Sequence, residues 1–353
     1  MTGARPDAAA SRVAELVGVL EGADRVIVLT HDNPDPDAIA SAAGLAFLIE
    51  ALADVPVSPA FGGIVGRAEN RALLEELDAG FERPDSVDAA PGTLIALVDT
   101  QPRAGNNALP EGRIASVVVD HHPPRTELSA TGFADVRPEI GACATIIVEY
   151  LRAAGLEPDR RLATSLFYGI QSETLDLGRE VSEADIEASV YLYPRTDPAA
   201  ISRIRHARVP PDFFRSIHDG LERAWRSDGV ICIPAGRLPY PDMVAQLADL
   251  FMRVKGVDWV IASGRFHDDL LFSLRTYDVS AHAGELVQKV LAGRGPAGGH
   301  GTMAGARVDV RHLGDDDYEE LVRSLFVDFC AALGVSEEPR EPLIRTRDEE
   351  GQA

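Results

Sequence analysis

The chain is an acidic polypeptide of 353 residues, long enough for two hydrophobic cores. Its 56 acidic and 34 basic residues give a formal net charge of −22, which disfavours binding to long nucleic acid, because that binding depends on lysine and arginine replacing phosphate counterions. Cys143, Cys232 and Cys330 form no C-x-x-C pair and predict neither a disulfide framework nor a zinc ribbon. We expect no membrane-spanning segment and no signal sequence, and hence a cytoplasmic protein that does not bind membranes.

The first predicted strand ends at a cluster of charged side chains. The apolar strand Arg25–Leu29 is followed by His31, Asp35 and Asp37, and an apolar helix is predicted at 38–52. Imidazole nitrogen and carboxylate oxygen are ligands for Mn, Mg, Fe or Zn, and a carboxylate-rich set without thiols favours the harder ions. For this stretch alone, a helix-capping loop rich in aspartate and proline is the alternative.

Two later strands end in the same way. The second apolar strand, 93–98, stops at Asp99, and a third stops at Asp120, His121 and His122. Apolar strands separated by helical segments are typical of an α/β fold whose parallel sheet is covered by helices on both faces. Ligands of such sheets collect beyond the carboxyl ends of the strands. We therefore expect the acids and imidazoles of all three strand ends to meet, although one acid after a strand is often only a helix cap.

A fourth segment carries two further acids. An apolar helix is predicted at 162–170, and it runs into Glu173 and Asp176. Either carboxylate could complete a set of metal ligands. A solvated helix end is the alternative for both.

These motifs occur in an order that resembles a known family. They are His31-x-x-x-Asp35-x-Asp37, then Asp99 within Val-Asp-Thr, then Asp120-His121-His122, then Gly-Ile-x-x-acid-Thr with the acid at Glu173. The set resembles the four ordered motifs of the DHH phosphoesterase superfamily. Segments 273–276 and 298–305 resemble the arginine-containing strand and the Gly-Gly-His loop of the DHHA1 domain. The nearest resemblance is to bacterial enzymes that degrade very short oligoribonucleotides and dephosphorylate 3′-phosphoadenosine 5′-phosphate.

The resemblance implies a role for each matching residue. Five residues would be ligands of a two-manganese centre that Mg²⁺ or Co²⁺ could also occupy: His31, Asp35, Asp37, Asp99 and His121. Asp99 would bridge the two ions, His122 would contact the scissile phosphate, and Asp120 would orient a neighbouring imidazole. The family has aspartate where this chain has Glu173, so Glu173 would ligate with a longer reach unless Asp176 replaces it.

The resemblance also divides the chain into parts. Residues 1–195 would form the DHH metal-binding catalytic domain, 196–228 a helical linker, 229–335 a smaller α/β DHHA1 substrate-binding domain, and 336–353 a disordered tail. In the second domain we expect the glycine-rich run to be a loop and 308–310 to be an edge strand. Arg275, Gly298, Gly299 and His300 would bind the far end of the substrate.

The leading hypothesis is a Mn-dependent phosphohydrolase of short oligoribonucleotides or of a nucleoside bisphosphate. A phosphodiesterase of cyclic dinucleotides or their linear products is the alternative within enzymes. Inorganic pyrophosphatases share the first domain, but the Gly-Gly-His segment argues against them. A nucleotide-binding regulator that has lost turnover is the alternative from another class, motivated by Glu173. Related proteins often dimerise, so a homodimer is left open.

Overall fold

The computed structural model describes residues 4–83, 90–124, 128–336 and 340–344. They form two compact units, Met1–Arg208 and Val209–Ala353. The division falls inside the segment 196–228 that we expected to be a linker. One helix of that segment belongs to the first unit and the other to the second, so the segment is not a separate element.

The first unit is a five-stranded parallel sheet with helices, which confirms the predicted α/β class. Its elements are α1 Ala4–Leu20, β1 Arg25–Leu29, α2 Pro36–Ala53, β2 Val57–Ala60, α3 Ala68–Leu77, β3 Thr93–Val98, β4 Val117–Asp120, β5 Phe133–Val136, α4 Cys143–Ala153, α5 Arg160–Glu173, α6 Glu183–Leu192 and α7 Pro198–Arg205. The strand order is β2-β1-β3-β4-β5, and every neighbouring pair is parallel. The edge strands β2 and β5 were not predicted, because each is short and only half buried and so has no continuous apolar run like that of β4.

The two faces of this sheet are packed differently. Val28, Val98 and Val119 point toward a core that they share with α1, α2, α4 and α5. The alternating residues Ile27 and Leu97 point the other way, into a smaller cluster. Among the described residues that smaller cluster contains no helical side chain, so loops cover this face rather than the helices we expected. The connection from β3 to β4 contains no helix, and it supplies part of the cover through Ala108, Leu109 and Ala115.

Helix α2 has the length and apolarity of a membrane-spanning segment, which we did not expect from the sequence. Its 18 residues have a mean hydropathy of 1.4, and 72% of them are buried inside the protein. A helix that is apolar on all sides and buried by other elements of its own chain is typical of a protein core.

Glycines allow close packing around α2. A Cβ at Gly44 would lie 2.6 Å from Cγ2 of Ile147 on α4. A Cβ at Gly169 on α5 would lie 3.1 Å from the carbonyl oxygen of Pro36 and 3.2 Å from Cα of Asp37. The second contact is with backbone, which cannot rotate away. Gly169 therefore lets α5 lie against the first turn of α2, which contains Asp37.

The second unit is built on a seven-stranded mixed sheet. Its elements are α8 Pro211–Arg223, β6 Trp225–Ser227, β7 Val230–Arg237, α9 Met243–Phe251, β8 Trp259–Phe266, β9 Asp269–Thr276, α10 Ala283–Val290, β10 Ala297–His300, β11 Met303–Asp309, α11 Asp315–Ala332 and β12 Glu341–Pro342. The strand order is β10-β11-β9-β8-β7-β6-β12, with only the β7–β8 pair parallel in the described chain. Helices α10 and α11 pack on one face and α9 on the other.

Three predictions for this unit were wrong. The glycine-rich run is not simply a loop, because Ala297–His300 form strand β10. Strand β11 is not at the edge, since it lies between β9 and β10. Part of the predicted disordered tail, Glu341–Pro342, pairs with β6. The glycines belong in a strand because α10 approaches it closely: a Cβ at Gly284 would collide with the carbonyl group of Gly299.

We expect Gly169→Val to destabilise the first unit by about 1–3 kcal/mol, because its side chain would overlap the backbone of α2. Chemical denaturation measures this change. Gly18→Val is the matched control: Gly18 lies in α1, and a Cβ there has no neighbour within 4 Å. Its stability should stay within about 0.5 kcal/mol of the parent. Equal denaturation midpoints for both variants would contradict the proposed close packing.

Candidate metal centre

The carboxyl ends of three adjacent strands bring the first set of predicted ligands together. His31 lies two residues beyond β1, Asp99 directly follows β3, and His121 directly follows β4. In the order β1-β3-β4 these ends are neighbours, so the parallel topology itself concentrates the three side chains. The sequence expectation that distant acids and imidazoles converge is what the structure displays.

Asp99 lies between two imidazoles. Its Oδ2 is 3.6 Å from Nε2 of His31, and its Oδ1 is 3.4 Å from Nε2 of His121. The side chain is 2% exposed, and Oδ1 is buried without a hydrogen-bond donor among the described residues. Asp99 also has a left-handed backbone, with φ of 58°, which is uncommon for a residue other than glycine. A buried carboxylate oxygen that lacks a donor favours a cation as its partner.

Both imidazoles are oriented so that Nε2 faces the carboxylates. Nδ1 of His31 is 2.9 Å from the carbonyl oxygen of Asp32, and Nδ1 of His121 is 3.2 Å from that of Ile140. A carbonyl can only accept, so each Nδ1 carries the hydrogen, and in the neutral imidazole Nε2 is then the nitrogen that can bind a metal. This is how metal-binding histidines are commonly held.

Asp35 and Asp37 come from the first turn of α2 and have different surroundings. Asp35 caps that helix by accepting the Ala38 N–H at 3.0 Å, and its Oδ2 is 3.8 Å from Nε2 of His31. Asp37 is buried, and it accepts the backbone N–H groups of Cys143 at 2.7 Å and Ala144 at 2.8 Å. Asp37 thus caps the N-terminus of α4, a role that the sequence analysis missed. Its Oδ2 is also 3.9 Å from Nε2 of His121.

Asp120 and His122 form a separate pair beside the ligand group. Oδ1 of Asp120 accepts from Nδ1 of His122 at 2.9 Å, and Oδ2 accepts from Nε2 of Gln101 at 2.7 Å. Gln101 also donates to the carbonyl oxygen of His122 at 3.2 Å. Asp120 therefore positions His122, as the family resemblance implies. Gln101 was missed, because a glutamine after a strand gives no signal of its buried contacts.

Glu173 and Asp176 face in different directions. The side chain of Glu173, the last residue of α5, is 16% exposed, and its carboxylate is close enough to Asp35 for their charges to interact. Asp176 is 64% exposed and forms an ion pair with Arg205 at 2.8 Å. Of the two candidates for the fourth motif, Glu173 is therefore the one near the ligand group. Arg179 donates to the Glu173 carbonyl oxygen at 2.8 Å.

The protein surrounds these groups with negative charge. Burial lowers the pKa of His31, but the carboxylates of Asp35 and Asp99 outweigh it and raise the pKa to about 10. The pKa of His121 is raised well above its usual value in the same way, by Asp99 and Asp37 against the effect of burial. Burial, together with the charge of Asp99, raises the pKa of Asp37. Without another cation, these carboxylates hold protons on the imidazoles; a divalent ion would replace those protons.

The donor set fits a hard or borderline divalent metal. Two groups of candidate ligands share Asp99, and the ligand atoms of each lie within 4.8 Å of one another: His31 and Asp35 form one group with Asp99, and His121 and His122 form the other. The His122 nitrogen near Asp99 is Nδ1, at 3.7 Å from Oδ1, and this same nitrogen already donates to Asp120, so we assign His122 to a role other than ligation. Carboxylates and imidazoles without a thiolate suit Mn²⁺, Mg²⁺, Fe²⁺ or Zn²⁺.

The four predicted substrate-binding residues lie in the second unit. Arg275, on β9, donates from Nε to Asp249 at 2.6 Å, so its charge is balanced. Gly298 and Gly299 are ladder residues of β10. His300 ends that strand, and its side chain lies outside the described part of the protein. The substrate-binding role of all four stays a prediction.

We expect Asp99→Ala to lose at least one of two bound Mn²⁺ ions per chain, because it removes the carboxylate between the two imidazoles. Electron paramagnetic resonance of Mn²⁺ titrated into the purified protein measures the stoichiometry. Circular dichroism should be unchanged. Two ions bound with the parent affinity would contradict the shared position of Asp99.

Glu173→Gln should weaken Mn²⁺ binding by about 10–100-fold, since it removes one negative charge from the ligand region. Asp176→Asn is the matched control, because its carboxylate pairs with Arg205. Isothermal titration calorimetry of both variants measures the difference. A larger loss in the control would assign the fourth motif to Asp176 instead.

Solved structures have the same fold. An exopolyphosphatase-related protein of Bacteroides fragilis superposes with a TM-score of 0.67 at 14% identity, covering 92% of this chain and 98% of that one. RecJ of Thermus thermophilus, solved with Mn²⁺, has a TM-score of 0.50 at 15% identity, covering 95% of this chain and 55% of RecJ. At such identities the likeness establishes the fold alone.

Two relatives align with the sequence. An uncharacterized protein of Methanocaldococcus jannaschii is 32% identical over 322 residues, which is 89% of this chain and 65% of the relative. A probable manganese-dependent inorganic pyrophosphatase of Archaeoglobus fulgidus is 28% identical over 182 residues, which is 45% of this chain and 54% of the relative. The chain thus spans less than two thirds of the length of either. Residues 25–170, which include His31, Asp99 and His121, match the DHH family, N-terminal domain. Over this segment of the first unit, the sequence is similar to the DHH family.

Proposed function

We propose that this protein is a metal-dependent phosphoesterase that hydrolyses short oligoribonucleotides, a nucleoside bisphosphate such as 3′-phosphoadenosine 5′-phosphate, or both. The observation that carries the proposal is the position of Asp99, whose two carboxylate oxygens face two different imidazoles at 3.6 and 3.4 Å. One carboxylate shared between two ligand groups is the arrangement that a two-metal phosphoesterase needs.

The residues for two ions are those already described. His31 and Asp35 would hold one ion, and His121, Asp37 and Glu173 would hold the other. Asp99 would be a ligand of both ions. When bound, such ions supply a hydroxide nucleophile at neutral pH and neutralise charge on the phosphate. The fixed Nδ1 hydrogen bonds of His31 and His121 keep the imidazoles oriented, so the chain loses little entropy in forming the site.

His122 is placed to handle a proton. Its Nδ1 donates to Asp120, and its side chain is 26% exposed, so substrate can reach the ring. Burial raises the pKa of Asp120, but hydrogen bonds from His122 and Gln101 outweigh it and lower the pKa below its usual range. An ionised Asp120 can only accept, so it fixes the Nδ1 hydrogen and the orientation of the His122 ring. We infer that His122 donates a hydrogen bond to the phosphate and a proton to the leaving oxygen.

The substrate class rests on charge and on the second unit. A net charge of −22 opposes tracking along a long polyanion, so short substrates are favoured. The second unit has the sequence features of a DHHA1 domain, and we propose that it binds the base or distal phosphate through Arg275 and the Gly298 region. Similarity to a probable inorganic pyrophosphatase makes pyrophosphate the second candidate substrate.

A substrate panel tests this proposal. With Mn²⁺, we expect release of mononucleotides from di- to pentaribonucleotides or of phosphate from 3′-phosphoadenosine 5′-phosphate, measured by chromatography. A cyclic dinucleotide and pyrophosphate are the comparison substrates. Turnover of pyrophosphate alone would assign the protein to the second candidate. Nucleotide binding without any product would favour a regulator, the alternative motivated by Glu173.

His122→Ala should lower kcat by about 10²–10⁴-fold, because proton transfer to the leaving group is lost. Mn²⁺ stoichiometry should remain that of the parent, since Nδ1 of His122 is bonded to Asp120 rather than to an ion. His206→Ala, in the loop that follows α7, is the control and should retain full activity. Loss of metal in the His122 variant would contradict the assignment of His122 as a proton donor.

A further inference from the structure

The second unit contains a cavity of about 390 Å³ that the proposed function does not use. Arg223, Gly236, Ser263, Tyr318 and Glu319 line it. These residues come from the end of α8, from β7 and β8, and from the first turns of α11. The volume is within the range of small-molecule sites.

The cavity is separate from Arg275. In the β8–β9 pairing, Ser263 lies opposite Phe272, three positions along the strand from Arg275. Leu274 belongs to the core cluster that includes residues of α10 and α11, and successive strand residues point to opposite faces. Arg275 accordingly points to the face of α9, where it pairs with Asp249. The cavity, by contrast, borders Tyr318 on α11.

A bulge in β7 makes room for the side chain of Arg223. The register between β7 and β8 shifts between Pro234 and Arg237, and Gly236 has a left-handed backbone with φ of 74°. A Cβ at Gly236 would collide with Nη1 of Arg223. Glycine therefore leaves room for this guanidinium group directly over the strand backbone. Bulges of this kind often occur next to functional sites.

Two further arginines are near Tyr318, which lines the cavity. The guanidinium carbon of Arg265 is 5.2 Å from the centre of the Tyr318 ring. Burial and the charge of Glu319 raise the pKa of the Tyr318 hydroxyl to about 12, although Arg265, Arg237 and Arg223 each act in the opposite direction. All three positive charges are thus close enough to one phenol to affect it. The tyrosine fixes the position of Arg265 by stacking.

These three guanidinium groups differ from other arginines in their ion pairing within the described part of the protein. Arg275, Arg311 and Arg323 each form an ion pair within 2.9 Å in the same unit. Within the described ranges, Arg223, Arg237 and Arg265 form none. Glu319 lines the cavity, and three aspartates begin α11. These carboxylates are nearby, but within the described residues none of them forms an ion pair with the three arginines.

We propose that this cavity is a second anion site, which binds the phosphate group of a small molecule. Guanidinium groups present planar pairs of N–H donors that match phosphate oxygens, and the dianionic charge of phosphate balances two of the three arginines. Phosphate could come from free orthophosphate or from a nucleoside monophosphate, and the chemistry of recognition is the same. The inference does not depend on the proposed catalytic function.

Calorimetry of the full chain in EDTA tests this site, because removal of metal prevents phosphate binding at the metal centre. Orthophosphate and adenosine monophosphate are titrated separately at constant ionic strength. We expect saturable binding of at least one of them, and at least a tenfold weaker Kd in the double variant Arg223→Gln with Arg265→Gln. Equal affinities for the two probes would identify free phosphate as sufficient, and tighter binding of the nucleotide would show that the nucleoside also contacts the cavity; both support the site.

Arg215→Gln is the matched control. Arg215 is on the same helix as Arg223, is exposed, and pairs with Asp212 at 2.6 Å, so its loss should leave the affinity unchanged. Asp99→Ala, which damages the metal centre, should also bind both probes like the parent, and this separates the inference from the proposed function. Absence of binding to the parent chain, or unchanged affinity in the double variant with an unchanged thermal midpoint, would overturn the proposal.

Discussion

The burial of several carboxylates at one edge of a parallel sheet is the constraint on which this structure depends. Asp37 and Asp99 are almost inaccessible to water, and isolated buried carboxylates are costly. The chain compensates Asp37 with two backbone N–H groups of α4, but it leaves Oδ1 of Asp99 without a donor in the described residues. The buried carboxylate oxygen that lacks a donor therefore lies between the imidazoles of His31 and His121. Selection for stability alone would not retain such an arrangement.

The rigidity of α2 connects this electrostatic constraint to the fold. The helix is buried along most of its length, and glycines allow α4 and α5 to approach it closely. Asp35 and Asp37 begin this helix, so their positions are fixed by packing rather than by a free loop. Because Asp37 also caps α4, its carboxylate is held by both helices. A site whose ligands must stay within tenths of an ångström benefits from such support.

The sequence predicts the main ligands because their positions follow from topology. Strand ends of a parallel sheet meet wherever the strands are adjacent, and apolar runs followed by His31, Asp99 and His121 are visible without coordinates. The caps and supports are not visible in this way. Asp37 and Cys143 are 106 positions apart, and Gln101 has no local pattern that reveals its contact with Asp120. The loop-covered face of the sheet was mispredicted because alternation in a buried strand does not say what packs against it.

The backbone conformation of the residues after Glu173 fixes the position of the end of α5. Three consecutive residues other than glycine, Leu175, Asp176 and Leu177, are left-handed, and each costs about 1–2 kcal/mol. Thr174 is fully buried, and it offsets this strain through a side-chain bond to the Leu177 N–H and carbonyl bonds to two further N–H groups. These hydrogen bonds therefore hold the three residues in a backbone conformation that is unfavourable for residues other than glycine. Since strained backbone persists only where surrounding contacts determine it, the end of α5 is a fixed point, and the extra methylene of Glu173 extends from a rigid support.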